Sequence, residues 1–342
     1  MKNIVFFMDK QKNPSGGRKI IFQFSEYINS LKDFNSSIVF VEKKKIYKIK
    51  QSISKKLGIK NNYYGWKFNE LSIVKHPQIF WSNHKINFRN NFNFDKENDF
   101  VILPEIFAHF ANDFLINKNI SYAIFVQNGY SIFSSSNLRK IKNAYKKAKF
   151  ILSYSKDIDE CMLTVFPECK SKLLRVVPAL ENEILNKKKI KKNLITFMPR
   201  KLHKHSQLVL LFLKNYLPKN WKIKAIENLN ENQVFEILSK SKIFLSFSEL
   251  EGLGMPPIEA ALAGNKVIGY TGEAGKEYWK KPIFTEVKNG EIKDFCKIII
   301  KNLNIKNFEK KTISQRLRLL NQYSIKKQKL SLLNFLKKIN NK

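Results

Sequence analysis

The chain has 342 residues, with 63 Lys and Arg against 28 Asp and Glu and a formal net charge of +35. A hydrophobic fraction of 43% with 13% aromatics excludes a disordered polyelectrolyte, and the length suffices for two domains with a core each. So large a positive charge implies affinity for polyanions, with nucleic acid, an anionic membrane surface and a phosphate-bearing substrate as candidates, although part of it follows from a Lys-, Asn- and Ile-rich composition of the kind an AT-rich genome produces.

Asn3–Asp9 (NIVFFMD) predicts a buried strand, followed by a loop, Lys12–Arg18, that holds Gly16 and Gly17. Ile20, Ile21, Phe24, Tyr27, Ile28 and Leu31 then recur at helical spacing. Two glycines ahead of a helix either let backbone amides approach an anionic or hydroxylated ligand or form a plain turn. Ser37–Val41 predicts a second strand, and from Lys43 to Asn98 little periodicity survives. Asp99–Pro104 predicts a strand ending at Glu105, followed by a helical stretch with His109. Tyr122–Val126 predicts another, ending at Gln127 and Asn128. In a parallel sheet such strand ends line the ligand crevice, which makes Glu105, Gln127 and Asn128 candidates. The plainer role for Glu105 is a carboxylate set against a helix dipole, and His109, one turn in, is expected to be structural. Leu138, Ile141, Tyr145 and Ala148 define an amphipathic helix whose other face carries Arg139, Lys140, Lys142, Lys146, Lys147 and Lys149. That face is either merely solvated or a contact for an anionic membrane, where each cation contributes ~1 kcal/mol at most. Phe150–Ser153 and Leu174–Val177 complete the first set of strands.

Asn186–Asn193 (NKKKIKKN) has the polarity of a linker. Leu194–Met198 then predicts a strand that runs into Pro199-Arg200-Lys201-Leu202-His203-Lys204. A helix over Gln207–Tyr216, a strand over Trp221–Ile226 and a helix over Asn232–Ser239 follow. Next come an apolar strand, Ile243–Phe247, a Gly-Pro-rich turn, an Ala-rich helix and a further strand, Lys266–Tyr270. Glu251 and Glu259 stand eight positions apart across the turn and the helix start. Carboxylates accept paired hydrogen bonds from vicinal hydroxyls, so this is a candidate polyol site. From Asn307 the tail is helical, with Ser324 as an N-cap.

The segment Glu251–Ala260 (EGLGMPPIEA) resembles the Glu-x7-Glu signature of retaining glycosyltransferases of the GT-B fold, family 4. Several features coincide: a Ser-rich strand end before it, glycines at Gly252 and Gly254, Glu259-Ala260, and an Ala-Gly followed by a strand. The resemblance implies an α/β protein of the GT-B class, two Rossmann-like domains with parallel sheets facing across a cleft. Residues 1–187 would be the acceptor-side domain, 193–323 the nucleotide-sugar donor domain, and 324–342 a helix returning to the first. It implies a nucleoside diphosphate sugar as co-substrate, no cofactor, no metal ion, and transfer with retention. Glu259 would hold the ribose hydroxyls, and Glu251 the hexose together with the amides of Gly252, Leu253, Gly254 and Met255. Arg200 and Lys204 resemble the family's cationic pair for the diphosphate, one a bidentate fork and the other a point charge, stabilising the leaving group. Gly16 and Gly17 would face donor phosphate or acceptor, and Gly272 belongs to a glycine turn ending in an acid. Glu105 stands where relatives often carry a catalytic or sugar-contacting His or acid, and Gln127 and Asn128 where the acceptor binds. The second domain is shorter than the family's usual layout, which leaves the nucleotide base open.

The acceptor expected is a glycan, a lipid-linked glycan or a polysaccharide, in cell-surface glycan biosynthesis such as that of lipopolysaccharide. Two other readings stand beside transfer: a sugar-nucleotide epimerase or hydrolase on the same scaffold, and a non-catalytic polyanion-binding protein. No RNA-recognition or zinc-finger pattern occurs, so specific nucleic-acid binding is not expected. Cys161, Cys169 and Cys296 lack Cys-x-x-Cys spacing and are expected to be reduced thiols, and His203 and His205 have no neighbouring acid or cysteine that would suggest a metal. Ile4–Met8 is too short for a signal peptide, and no run nears the ~20 apolar residues of a membrane span. The expected location is cytoplasmic, free or peripheral on the inner face of a membrane.

Overall fold

The computed structural model describes residues 1–10, 16–48, 66–75, 77, 79, 84–133, 137–180, 190–306 and 308–340. Within these the chain divides into two compact units, Met1–Val176 with Leu332–Lys342, and Val177–Ser331.

The first unit is built on a seven-stranded sheet in the order β3-β2-β1-β4-β5-β6-β7. Its strands are β1 (Lys2–Asp9), β2 (Phe34–Lys43), β3 (Leu71–Ile73), β4 (Asp99–Pro104), β5 (Ser121–Phe125), β6 (Phe150–Ser153) and β7 (Leu173–Arg175). Every pairing is parallel except that of β2 with the short edge strand β3. The apolar runs of β1, β4 and β5 are what a strand covered on both faces requires. Phe7 on β1 shows how one face is filled: its ring lies 5.4 Å from Phe107 and 5.8 Å from Phe114. The segment around His109 is a 3-10 turn, Glu105–Phe110, followed by the short helix Ala111–Phe114 rather than one continuous helix. His109 is buried, bonds the Trp66 carbonyl through Nε2 at 2.7 Å, and has its pKa lowered by burial. The basic helix is Leu138–Lys147, with Asn137 accepting from the Lys140 amide and Ile141, Ala144 and Tyr145 buried. The carboxy-terminal helix, Ile325–Asn340, is capped by Ser324, whose hydroxyl accepts from the Lys327 amide at 3.3 Å. Its distal half belongs to this unit, where Phe335 packs edge-on against Phe100 and Phe150.

The second unit has a five-stranded, wholly parallel sheet in the order β12-β11-β10-β8-β9. These are β8 (Lys192–Phe197), β9 (Lys222–Ala225), β10 (Ser241–Glu251), β11 (Lys266–Glu273) and β12 (Phe284–Glu286). The rings of Phe247, Tyr270 and Phe295 meet at 5.2–6.1 Å between the sheet and the helix Ile292–Lys301. Full burial of each contributes roughly 1.5–3 kcal/mol. Two elements go beyond the sequence expectation, the edge strand β12 and the helix Ile292–Lys301. The helix after β8 runs over His203–Leu213, earlier than Gln207–Tyr216, because Leu202 takes a left-handed conformation and turns the chain directly into it. The helix between β9 and β10, Glu231–Lys240, begins in a reciprocal capping box of Asn230 and Gln233. The first half of the expected linker, Asn186–Asn193, lies outside the described residues, and Lys192 and Asn193 already belong to β8. The described residues of Lys43–Asn98 add a helical stretch at 45–48, the Phe68–Glu70 turn, β3 and an isolated bridge from Ile38 to Phe88.

Candidate functional site

Each sheet reverses its direction of growth once, between β1 and β4 in the first unit and between β8 and β10 in the second. In open parallel sheets the ligand crevice forms at that reversal, outside the carboxyl ends of the strands.

In the second unit this point is made by the loop after β8 and the end of β10. Strand β10 keeps register with β11 as far as Ser248, shifts, and pairs again at Glu251 opposite Glu273. Leu250, at φ 41°, supplies the kink within that irregularity. The turn Gly252-Leu253-Gly254 follows, and Gly254 (φ 78°) takes the left-handed conformation that starts the helix Met255–Leu262. Pro256 and Pro257, at positions whose amides a helix leaves unbonded, fit its first turn. The Tyr278 hydroxyl donates to the Gly254 carbonyl at 2.8 Å and fixes this turn from beneath.

Glu251 is not isolated. Its Oε1 lies 2.7 Å from Lys201 Nζ, and the same ammonium donates to the Glu249 carbonyl at 3.2 Å. Gly272 presses on the same carboxylate: a Cβ there would fall 2.7 Å from Ser248 Cβ and 3.1 Å from Glu251 Cγ. Arg200 directly precedes Lys201, and Lys204 lies in the first turn of the helix His203–Leu213, both exposed and with no ion pair to a described residue. Glu259 is half-buried in the second turn of the helix Met255–Leu262. Three of the five non-glycine residues with positive φ among the described residues lie at or beyond carboxyl strand ends: Leu202 after β8, Leu250 near the end of β10, and Glu273 at the end of β11. Such backbone costs ~1–3 kcal/mol per residue and gathers at functional sites.

The first unit gathers its candidates into a second cluster. Glu105, 5% exposed at the end of β4, accepts from the Gln127 amide at 3.0 Å and the Asn128 amide at 3.1 Å. Burial pushes its pKa up to about 7, against the pull of those two amide donors. The Gln127 side chain donates through Nε2 to the Gly17 carbonyl at 2.9 Å. It also fills the space over that glycine, where a Cβ would lie 2.3 Å from Gln127 Oε1. Gly17 is thus a site of close packing between the helix Gly16–Asn29 and the loop after β5, while Gly16 opens the helix exposed. Asp9, at the end of β1, is held by both oxygens on Arg18 Nη2 at 3.0 Å.

Sequence reasoning missed Lys201, Tyr278 and the Asp9–Arg18 pair. Lys201 had a signal, since it lies inside the cationic run from Arg200 to Lys204. Tyr278 follows the Thr271–Glu277 turn but nothing local marks it as the support for Gly254.

His205 Nδ1 lies 3.1 Å from the Tyr270 hydroxyl, and His203 is exposed. One Asp-x-Asp sequence does occur, Asp157-Ile158-Asp159, in the first turn of the helix Lys156–Val165. Tyr130 donates to Asp157 at 2.9 Å, and Arg175 and Ser153 hold Asp159. Among the described residues there is no group of three or more His, Cys, Asp or Glu placed for a metal ion, and no helix long and apolar enough to cross a membrane. A cavity of about 190 Å³ in the second unit, bordered by Lys191, Lys242, Phe308 and Glu309, lies at the amino ends of the strands. Ligands of open parallel sheets bind at the opposite, carboxyl side.

The two sheets give the chain the GT-B fold of two-sheet α/β proteins. Similar solved structures cover nearly the whole chain. Anabaena HepE in complex with UDP and glucose superposes with a TM-score of 0.68 at 10% identity, over 98% of this chain and 99% of that one. A variant of Staphylococcus aureus TarM in complex with fondaparinux, alpha-GlcNAc-glycerol and UDP gives 0.63 at 13% identity, over 98% and 99%. Sucrose-phosphate synthase from Thermosynechococcus elongatus gives 0.64 at 8% identity, over 100% of both chains. In sequence, an alpha-1,6-glucosyltransferase of Actinobacillus pleuropneumoniae (serotype 7, strain AP76) is 33% identical over 69 residues, which are 20% of this chain and 18% of that protein. No family model matches.

Proposed function

We propose that the protein is a glycosyltransferase that moves a sugar from a nucleoside diphosphate sugar to a glycan or lipid-linked acceptor. One observation carries the reading: at the strand reversal of the second unit, the segment after β8 that carries Arg200 and Lys204 ties Lys201 to Glu251 at the strained end of β10, and neither Arg200 nor Lys204 has an ion pair to a described residue. In this assignment Arg200 and Lys204 hold the diphosphate and stabilise the charge that develops as it leaves. Glu259 takes the ribose hydroxyls. Glu251 and the amides of Gly252, Leu253, Gly254 and Met255 hold the sugar, with Gly272 supporting Glu251.

The UDP complexes of HepE and TarM support a nucleotide-sugar donor, and the glycans bound to TarM support a glycan acceptor. We assign the acceptor to the first unit, with Glu105 a catalytic candidate that also organises the Gln127–Asn128 loop, and Gly16 and Gly17 beside it. Retention of configuration, chemistry without a metal or cofactor, and membership of family 4 come from the Glu-x7-Glu resemblance. The basic helix Leu138–Lys147 supports contact with an anionic membrane at the cytoplasmic face, and with it a role in cell-surface glycan assembly.

The test is a thermal-shift screen of nucleoside diphosphates and their sugars, followed by turnover with and without acceptor. A ligand that binds only the folded state raises the midpoint with the logarithm of its concentration. Stabilisation by one nucleotide and its sugar, with turnover that needs an acceptor, is the expected result. Acceptor-independent conversion would instead mean an epimerase or hydrolase, and no stabilisation by any of them would refute the donor site.

A further inference from the structure

We propose that the Lys201–Glu251 ion pair reads two adjacent hydroxyls of the donor sugar, with Lys201 as the specificity-determining residue. The inference rests on the donor-site reading above and names the sugar chemistry that site accepts. Lys201 Nζ has three donors. One is spent on Glu251 Oε1 at 2.7 Å and one on the Glu249 carbonyl at 3.2 Å. Neither the third donor nor Glu251 Oε2 makes a hydrogen bond with a described residue. With side-chain exposures of 27% and 23%, the two groups are reachable yet mostly withdrawn from water.

Both partners are held in place. The left-handed turn at Leu202 begins directly after Lys201, and the kink at Leu250 directly precedes Glu251. Gly272 closes on the Glu251 side chain from β11. The result is one hydrogen-bond donor and one acceptor side by side at fixed spacing.

A lone carboxylate would ask of a sugar only hydroxyl protons. The pair asks for more: one hydroxyl must donate to Oε2 while its neighbour accepts from the ammonium. Two adjacent free hydroxyls meet that demand, and a sugar deoxygenated or acylated at either leaves a half-buried polar group unpaired. Sites built to bond a hydroxyl discriminate strongly against analogues that lack it, for this reason. The rival role for Lys201 is a third cation on the diphosphate, beside Arg200 and Lys204.

Titration calorimetry on the full chain separates the two roles. UDP, ADP and GDP, and each with glucose attached, are titrated into the parent, K201M and K201R. The deoxy series of the best-bound glucose donor is titrated next. The expected result is that K201M binds the bare nucleotide within about twofold of the parent and its glucose conjugate about tenfold more weakly, with K201R partly restored. In the parent, loss of either of two adjacent hydroxyls costs about tenfold, and in K201M the cost at one of them disappears. Equal weakening of nucleotide and nucleotide sugar in K201M would overturn the proposal in favour of the diphosphate role. Unchanged deoxy penalties in K201M would overturn it outright. A parent that binds none of the nucleotides would sink the donor-site reading first, which is a separate outcome.

Discussion

The two units place a glutamate at the same topological position and use it in opposite ways. Glu105 directly follows β4 beside the β1 reversal, and Glu251 ends β10 beside the β8 reversal. Glu105 is buried, with both oxygens committed to amides of its own domain's loop. Glu251 gives one oxygen to a lysine and bonds no described residue through the other, with its side chain about a quarter exposed. A strand-end carboxylate therefore either has its acceptors filled by the amides of its own loop or keeps one open. Burial and donor count, rather than position in the fold, decide which.

The largest effect should come from removing a charge that the second unit leaves unused. Arg200 is exposed and has no partner among the described residues, so Arg200→Ala should change stability by no more than about 0.5 kcal/mol. If it stabilises a leaving diphosphate, turnover should fall by ~10²–10³-fold, on the order of 3–4 kcal/mol. Steady-state kinetics beside a thermal melt tests both halves. Parental turnover would remove Arg200 from the site.

Glu105 makes the contrasting prediction, in stability and with a pH signature. Its folded pKa is raised from 4.5 to about 7, so the folded state binds the extra proton between those values. Stability from this group is therefore full below about pH 4.5 and declines by roughly 3 kcal/mol as pH rises towards 7. Glu105→Gln removes that slope and sets an amide NH2 against a backbone N–H, at a cost of ~1–3 kcal/mol in acid. The deficit of the variant should shrink as pH rises from about 4.5 to 7, by urea unfolding at a series of pH values. A deficit constant from pH 4.5 to 8 would show that Glu105 does not titrate in that range.

Gly272 ties the local backbone to Glu251. At φ 65°, and with a Cβ clashing against Ser248 and Glu251, alanine there should cost ~1–3 kcal/mol of stability. It should also push the Glu251 side chain off Lys201, so nucleotide-sugar binding should suffer more than nucleotide binding. Equal losses in both would point to general unfolding of the loop rather than to displacement of one carboxylate.

Much of this was legible in the chain. Apolar runs such as IVFFM and FVILP can only be strands covered on both faces, and Glu251-Gly-Leu-Gly announces its turn. Strand β12 was not, because Phe284–Glu286 is a three-residue edge that carries no period of its own. The partner of Glu251 was hidden for a different reason. Lys201 comes from another loop 50 positions earlier, and in a chain with 63 Lys and Arg no single lysine stands out. Local pattern reveals elements, whereas pairings across loops depend on strand order, which the sequence does not print.

The smallest predicted effect concerns Glu273, whose φ of 65° and ψ of −69° is the rare, strained γ-turn conformation. Lys276 Nζ lies 2.6 Å from its carboxylate, but both side chains are about half exposed. An exposed pair contributes ~0–1 kcal/mol, whereas such backbone strain costs ~1–3 kcal/mol, so the pair is too weak to hold it. The strain must be borne by the β10–β11 pairing that sets Glu273 opposite Glu251. Lys276→Ala should accordingly shift stability by under ~1 kcal/mol, while Glu273→Gly, which relieves the positive φ, should raise it by about 1 kcal/mol. Chemical denaturation of the two variants side by side resolves the question. A Lys276→Ala loss well above that bound would mean that the ion pair, not the sheet, keeps this corner of the site in its strained form.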